Sequence, residues 1–337
     1  MRVRALLAAA LAAAAVAVAG CGQKAAEYGG TAENWPVRDL RIMAPAEPGG
    51  GWDATARAMA QAIERGKVID KSVEVYNVAG AGGTIGLAQL VSRNRRRANE
   101  LMVMGLVMVG AIATNDAPVG LGDVTPIASL TTEPEAIVVR DDSPYREVDD
   151  LVADMRRDPR KVAFAGGSAG GTDQILVGLV AKAAKVDPSK PKYVAYSGGG
   201  EAASAILSGA VDAGVSGVSE WADQIEAGKM RFLAVSTRDA LEVGGESVPS
   251  LREQGLDVEV TNWRGIVAPP DISSAERDRI IEAMEELHAT PGWKDQLERN
   301  DWTDFFLTGD RFTRFMASET RRARGILQQI GLVEAEQ

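Results

Sequence analysis

The chain contains few of the side chains that carry covalent or metal chemistry. Its 337 residues include one cysteine, Cys21, and one histidine, His288. A metal site built from nitrogen and sulfur ligands needs more such residues than these two, and a Ser-His-Asp arrangement needs its histidine in the cleft. His288 falls instead in the last turn of a predicted helix that starts with a Ser273–Glu276 capping box. We therefore expect no catalytic residue, no metal and no cofactor, although the composition leaves an Asp- or Glu-based hydrolase open.

Positive charge and long apolar runs are also scarce. Asp and Glu number 47 against 37 Lys and Arg, which gives a formal net charge of −10. Such an acidic chain is a poor partner for nucleic acid and for anionic membrane surfaces. After residue 20 no run of about 18 apolar residues occurs, so we expect no membrane-spanning helix in the mature chain.

The first 20 residues predict a signal peptide. Arg2 and Arg4 precede an apolar run that is too short to span a membrane as a mature helix. The run ends in small residues before Cys21, and this junction resembles a bacterial lipobox, in which Cys21 would be lipidated and become the mature N-terminus. An ordinary signal peptide with an incidental cysteine is the alternative. We expect a polar tether over residues 21–34 and an extracytoplasmic protein, in the periplasm or on the outer face, held to the cell membrane through its lipid anchor only.

Four glycine-rich loops each follow a predicted strand and precede a predicted helix. Glycine allows positive φ and lets backbone N–H groups approach a ligand closely, and a helix N-terminus adds donors and partial positive charge. In the first loop, Asp53 is placed as the N-cap of the helix. The four loops, named loop 1 to loop 4, are residues 49–51, 79–83, 166–173 and 197–201.

The loops do not match the common nucleotide-binding motifs. Loop 2 fits G-x-G-x-x-G at Gly80 and Gly82, but Ile85 stands in the third position. No G-x-x-x-x-G-K-[ST] sequence occurs anywhere in the chain. The loops therefore favour a small anion over a dinucleotide or a nucleoside triphosphate.

Strands that alternate with helices predict an α/β fold with parallel strands. The nearly uniformly apolar stretch 101–113 is typical of a central strand buried on both faces. A further element is expected to begin at residue 126, and a strand at residue 135. Ligands of open α/β sheets bind beyond the carboxyl ends of the strands, where all four loops lie. Two facing lobes with two loops each would bind a small anion in the cleft between them.

Six motifs occur in order along residues 35–330. They read PAEPGGGWDATAR at 45–57, GAGGTIG at 80–86, GGSAGGTDQIL at 166–176, YSGGGEAASAILSGAVDAGVSG at 196–217, AGKMRFLAVST at 227–237 and NWRGIVAPP at 262–270. Together they resemble the substrate-binding proteins of tripartite tricarboxylate transporters, the Bug/TctC-like family. The resemblance implies a two-lobed periplasmic-binding-protein (Venus flytrap) fold in which each lobe is a mainly parallel sheet flanked by helices. Lobe 1 would be residues 35–135 plus 260–337, and lobe 2 residues 136–259.

The resemblance also implies how a ligand is held. Family members grip a carboxylate with main-chain N–H groups and ordered waters, and pass it to the membrane permease subunits of the transporter. Carried over by position, the expected ligand-binding residues are Gly50, Gly51, Trp52, Asp53, Ala81, Gly82, Gly83, Ser168, Gly170, Gly171, Thr172, Gln174, Ser197, Gly198, Gly199 and Glu201.

Three of these positions leave alternatives open. Gln174 stands where many relatives have histidine, so an imidazole contact would here be an amide. Glu201 stands where many have proline, and it either contacts the ligand or a water, or only complements the helix dipole. Trp52 either narrows the cleft or packs as a lid on the domain surface.

The function that these observations favour is a monomeric extracytoplasmic receptor for a small carboxylate, with a tricarboxylate such as citrate first. The receptor would deliver its ligand to the permease subunits of a tripartite tricarboxylate transporter. The alternatives are a ligand-sensing subunit for a sensor kinase, or a receptor for a dicarboxylate, an aromatic carboxylate or an amino acid.

Overall fold

Strands and helices alternate through residues 35–196 and 199–334, the part of the chain that the computed structural model describes. The predicted signal peptide at residues 1–20, the lipidation site Cys21 and the rest of the predicted tether lie outside the described residues, as do Ser197 and Gly198 of loop 4. None of the helices in the described part is both long and apolar enough to cross a bilayer.

The strands are short, with one exception of 16 residues, β4. In chain order β1 to β12 are Leu40–Ala44, Val73–Asn77, Glu100–Gly105, Thr125–Arg140, Ala163–Gly166, Lys192–Ala195, Ala213–Gly217, Met230–Val235, Leu241–Val243, Glu246–Val248, Thr261–Ala268 and Thr303–Thr308.

The helices follow the strands and cover the sheet. The predicted capping box is present, because the Ser273 hydroxyl accepts from the Glu276 N–H and the Glu276 carboxylate accepts from the Ser273 N–H. In chain order α1 to α10 are Gly51–Gly66, Thr84–Arg93, Leu106–Thr114, Val148–Arg157, Thr172–Ala183, Gly199–Leu207, Val218–Glu226, Ser274–Ala289, Pro291–Arg299 and Gly309–Gln329.

Ten of the described strands form one continuous sheet. Its order is β2-β1-β3-β11-β4-β7-β5-β6, and β8 and β12 also pair with β4. The strands are parallel at both ends, where β1 pairs with β2 and β3, and β5 with β6 and β7. Every ladder that includes β4 or β11 is antiparallel. The predicted α/β fold with parallel strands flanked by helices is confirmed, and the antiparallel centre adds a feature that the alternation of elements did not predict.

β4 runs through both halves of the sheet. Its first part pairs with β11 and β12, and its last part, from Glu135, pairs with β7 and β8. The element predicted to begin at residue 126 and the strand predicted to begin at residue 135 are one strand in the structure, because Pro134 removes only one N–H donor and the extended backbone continues through it. The predicted lobe boundary between residues 135 and 136 falls within this strand, and the lobe boundaries stay a prediction.

The apolar stretch 101–113 is not one strand. β3 ends at Gly105 and α3 begins at Leu106. A Cβ atom on Gly105 would lie 2.3 Å from the backbone oxygen of Trp263, so the change of direction occurs where two backbones approach closely. Uniformly apolar sequence has no period that separates strand from helix, and the strand prediction is wrong beyond residue 105.

A tryptophan on β11 anchors the last long helix to the sheet. The Trp263 ring is 2% exposed and packs edge-on against Phe312 and Phe315 of α10, with centroid distances of 6.1 and 5.1 Å. Its indole N–H donates to Glu319 at 3.1 Å. This packing fixes the strand segment that carries Asn262 and Arg264.

Candidate ligand-binding site

A cavity of about 390 Å³ opens beyond the carboxyl ends of the strands. Loops 1, 2 and 3 line it, Tyr196 lines it just before loop 4, and α3, α7, β7 and β11 complete its wall. Among the predicted ligand-binding residues, the wall includes Gly50, Gly51, Trp52, Ala81, Gly82, Gly83, Ser168 and Gly171. The wall does not include Asp53, Gly170, Thr172, Gln174, Gly199 or Glu201.

Asp53 fixes the conformation of loop 1 from inside the helix. The N-cap of α1 is Gly50, so the prediction of Asp53 as N-cap is wrong by three residues. Its buried carboxylate accepts from the Gly49 N–H at 2.8 Å, from Arg57 at 2.9 Å and from Asn77 at 2.9 Å. Burial would raise the pKa of Asp53, but these hydrogen bonds outweigh burial and lower it. Asp53 is therefore ionised, and it holds loop 1 in place by accepting from the Gly49 N–H.

Loop 2 turns on four successive residues with positive φ. Gly80, Ala81, Gly82 and Gly83 have φ of 126°, 49°, 59° and 88°. A Cβ atom on Gly83 would lie 2.6 Å from the Trp52 ring. Trp52 is buried and also lines the cavity, so it packs on loop 2 and narrows the cleft at the same time.

Three loop N–H groups are already bonded to side chains. The Gly167 N–H donates to Asp173 at 2.6 Å, and the Gly199 N–H donates to Glu220 at 2.8 Å. The Gly170 N–H donates to the Gln174 amide oxygen at 2.8 Å. Gln174 therefore shapes loop 3 instead of facing the cavity.

Among the described residues that line this cavity, Arg264 is the only lysine or arginine. Its side chain is 3% exposed, and Nη2 donates to the fully buried Glu133 at 2.6 Å. The guanidinium lies over the Trp302 ring, 5.4 Å from its centroid. Nη1 is buried and forms no hydrogen bond within the described residues. A Cβ atom on Gly51 would lie 2.6 Å from Nη2, so Arg264 sits directly beside the N-terminus of α1.

Carboxyl groups surround this arginine. Asp173 and Glu220 line the cavity, and Glu133 and Glu135 of β4 are fully buried. Burial and the charges of Glu220 and Glu133 raise the pKa of Asp173 to about 7, although the Gly167 N–H opposes this shift. Burial and Glu133 raise the pKa of Glu220, and burial with three acidic neighbours raises that of Glu135.

Sequence reasoning missed these five charged residues as a group. Arg264 belongs to the NWRG motif and Asp173 to the GGTDQ motif, so the motifs contained them without indicating their role. An arginine directly before the apolar run at residues 265–268 was the available signal, because buried charges require partners. Glu133 and Glu135 alternate on one face of β4, which only the pairing of that strand reveals.

The single histidine lies on the last turn of α8, as predicted. His288 stacks on Phe306 at 4.0 Å, and its Nε2 lies 2.9 Å from Asp304. It does not line the cavity. In the described parts of the chain, no three His, Cys, Asp or Glu side chains are grouped as a metal site requires.

Comparison with known proteins places the fold and the family. Residues 55–332 match the family described as "Tripartite tricarboxylate transporter family receptor". A UPF0065 protein of the gbd 5′ region of Cupriavidus necator is 25% identical over 325 residues, 96% of each chain. The periplasmic binding protein BugD has a similar structure, with a TM-score of 0.77 at 20% identity over 89% of this chain and 99% of BugD.

A third similar protein has a ligand in its structure. MatC of Rhodopseudomonas palustris, solved with bound malate, has a TM-score of 0.74 at 21% identity over 87% of this chain and all of MatC. These likenesses support the periplasmic-binding-protein fold, and the family match covers most of the chain. The chain belongs to the tripartite tricarboxylate transporter receptor family, whose members are extracytoplasmic solute receptors and not enzymes.

Proposed function

We propose that this receptor binds a small carboxylate, with a tricarboxylate such as citrate first, in the cavity between loops 1 to 3. The observation that carries the proposal is Arg264, a buried cation in the cavity wall beside the N-terminus of α1, whose Nη1 has no hydrogen-bond partner among the described residues. A buried guanidinium recognises a carboxylate through strong charge-assisted hydrogen bonds.

The backbone contribution is narrower than the sequence predicts. The N–H groups of Gly167, Gly170 and Gly199 are occupied by side chains. The first-turn N–H groups of a helix have no acceptor within the helix, and Gly51 and Trp52 at the start of α1 line the cavity. We therefore assign one ligand carboxylate to these N–H groups and Arg264 together.

Closure of residues 136–259 against residues 35–135 and 260–337 would present the ligand to the permease subunits, with Cys21 as the lipid anchor of a monomer. Ligand sensing for a sensor kinase is the alternative, because both roles need a conformation that depends on ligand. Two permease genes beside the receptor gene would favour transport, and a histidine kinase gene would favour sensing.

A thermal-shift screen tests the ligand class. The panel contains citrate, malate, other dicarboxylates, aromatic acids and amino acids. Binding stabilises the folded chain by RT ln(1 + [L]/Kd), roughly 4 kcal/mol at a thousandfold excess over Kd. We expect a clear rise in Tm with citrate. If only another acid of the panel raises Tm, that acid is the ligand instead of citrate. Absence of any shift, with native mass spectrometry showing no co-purified ligand, would contradict the proposal.

A pair of adjacent glycines tests the assigned contact. Gly51→Ala places a Cβ atom 2.6 Å from Arg264 Nη2, whereas at Gly50 the nearest atom is 3.4 Å away. Loss of one charge-assisted hydrogen bond corresponds to roughly tenfold or more in affinity. We expect calorimetry with citrate to show this loss for Gly51→Ala and a change of less than about threefold for Gly50→Ala. Equal affinities in the two variants would show that Arg264 and the start of α1 do not contact the ligand.

A further inference from the structure

The wall of the proposed anion site carries more negative than positive groups. Asp173 and Glu220 line the cavity, and Arg264 is the guanidinium beside them. Glu133 already pairs with that guanidinium, and Glu135 of the same strand is fully buried. If every carboxyl group were ionised, a polycarboxylate ligand would meet net repulsion in a site of low dielectric constant.

Geometry indicates that part of this cluster is protonated. Both carboxyl oxygens of Glu135 are buried and have no hydrogen-bond partner within the described residues. An ionised carboxylate without a partner in the interior is far less stable than the neutral acid. Its neighbours Asp173, Glu133 and Glu220 raise the pKa of Glu135 further, and one guanidinium cannot balance four anions.

Asp173 and Glu220 are each oriented by a backbone N–H. Asp173 Oδ2 accepts from Gly167, and Glu220 Oε2 accepts from Gly199. A proton on either group would be carried by the oxygen that does not accept from the backbone, and Ser216 also donates to the Glu220 carboxylate. A neutral carboxyl group in the cavity wall removes one repulsion and supplies one O–H donor.

We propose, on the basis of the carboxylate-receptor function above, that Asp173 and Glu220 bind the ligand carboxylate in their protonated form. Each donates its O–H to a ligand oxygen, and ligand binding is accompanied by proton uptake from solvent. Arg264 carries the permanent positive charge of the site. Protonation of Asp173 and Glu220 changes the net charge of the site to suit the charge of the ligand.

Other ionisable groups also face Asp173 and Glu220. Tyr193 of β6 donates its hydroxyl to the Gly167 carbonyl at 2.8 Å, so it supports loop 3. Glu47 lines the cavity opening and is exposed. The groups facing the pair are Glu133 and Glu135 of β4, Arg264 of β11, Tyr193 of β6, Tyr196 before loop 4 and Glu47 beside loop 1.

The sign of the proton exchange separates this proposal from its rival. A carboxylate bound by protonated acids takes up protons, so affinity falls as pH rises through the pKa of the cluster. A ligand with a protonated amine would instead favour ionised Asp173 and Glu220, and its binding would release protons. If an amino acid of the panel is the ligand, we therefore expect its binding to release protons.

The test is calorimetry with citrate between pH 6 and 8, in two buffers that differ in ionisation enthalpy. The double variant Asp173→Asn, Glu220→Gln keeps both shapes and cannot titrate. Citrate itself titrates identically in the two experiments. A difference in pH dependence between wild type and the double variant therefore comes from Asp173 and Glu220. If binding requires one proton on a group with a pKa of about 7, wild-type affinity falls between pH 6 and 8 by about tenfold more than the affinity of the double variant. Glu64→Gln, at an exposed site on α1, serves as the matched control and keeps the wild-type profile.

Each outcome has one meaning. Greater proton uptake by wild type than by the double variant supports the proposal. Equal proton numbers, or proton release with citrate, overturn it while leaving the receptor function intact. If no acid binds wild type at any pH, the receptor function fails, and infrared spectra of the free protein decide the state of the cluster. A protonated-carboxyl band at pH 7 that the double variant lacks supports protonation of Asp173 and Glu220, and its absence overturns it.

Discussion

Replacing Arg264 by methionine is expected to lower the free energy of unfolding by about 3–5 kcal/mol and to abolish carboxylate binding. The substitution leaves Glu133 fully buried without its cation, since the remaining partners are the Ser219 N–H at 3.0 Å and the Ser219 hydroxyl. A buried charge that has lost its partner accounts for most of the expected destabilisation. Chemical denaturation at pH 7 and calorimetry with citrate measure the two effects.

A second variant separates stability from binding. In Arg264→Met, Glu133→Gln the buried charge is removed together with its partner, so most of the stability should return. Binding should not return, because the ligand still lacks its guanidinium. Restored affinity for citrate in this double variant would show that Arg264 serves the fold alone and would contradict its assignment as a ligand contact.

The sequence reveals the loops of the site better than its charges. Glycine motifs identify loops 1 to 3 because a positive φ and a close approach of backbone leave a local signature, as at Gly82. The role of Gln174 has no such signature, because its amide reaches Gly170 only in one side-chain conformation. The pairing of Arg264 with Glu133 joins positions 131 residues apart, and no local pattern predicts such a contact.

The fold shows the same division between local and distant information. The helix that begins at Ser274 follows from its capping residues, and His288 lies in its last turn as predicted. The limits of β3 and α3 do not follow, because residues 101–113 are apolar throughout. The position of β11 between β3 and β4 depends on antiparallel pairing with distant segments, which the alternation of strands and helices does not specify.

Gly110→Ala is expected to weaken citrate binding by about tenfold or more, because it separates α3 from loop 3. A Cβ atom on Gly110 would lie 1.9 Å from the backbone oxygen of Gly170, closer than any real contact allows. Gly110 belongs to predicted lobe 1 and Gly170 to predicted lobe 2, so the clash opposes the approach of the two segments that line the cavity. Calorimetry with citrate measures the loss of affinity, and thermal unfolding measures the accompanying change in stability.

Gly325→Ala is the matched control, since Gly325 also lies inside a helix, α10, and has no atom within 4 Å of an added Cβ. An alanine in a helix is more favourable than glycine by about 1 kcal/mol, so Gly325→Ala should raise stability slightly and leave affinity unchanged. The same gain in helix propensity applies to Gly110→Ala, so any net loss there must come from the contact with loop 3. If the Gly110→Ala variant binds citrate as tightly as wild type, a wider separation of α3 and loop 3 does not affect the site. A close approach of the two predicted lobes is then not required for binding.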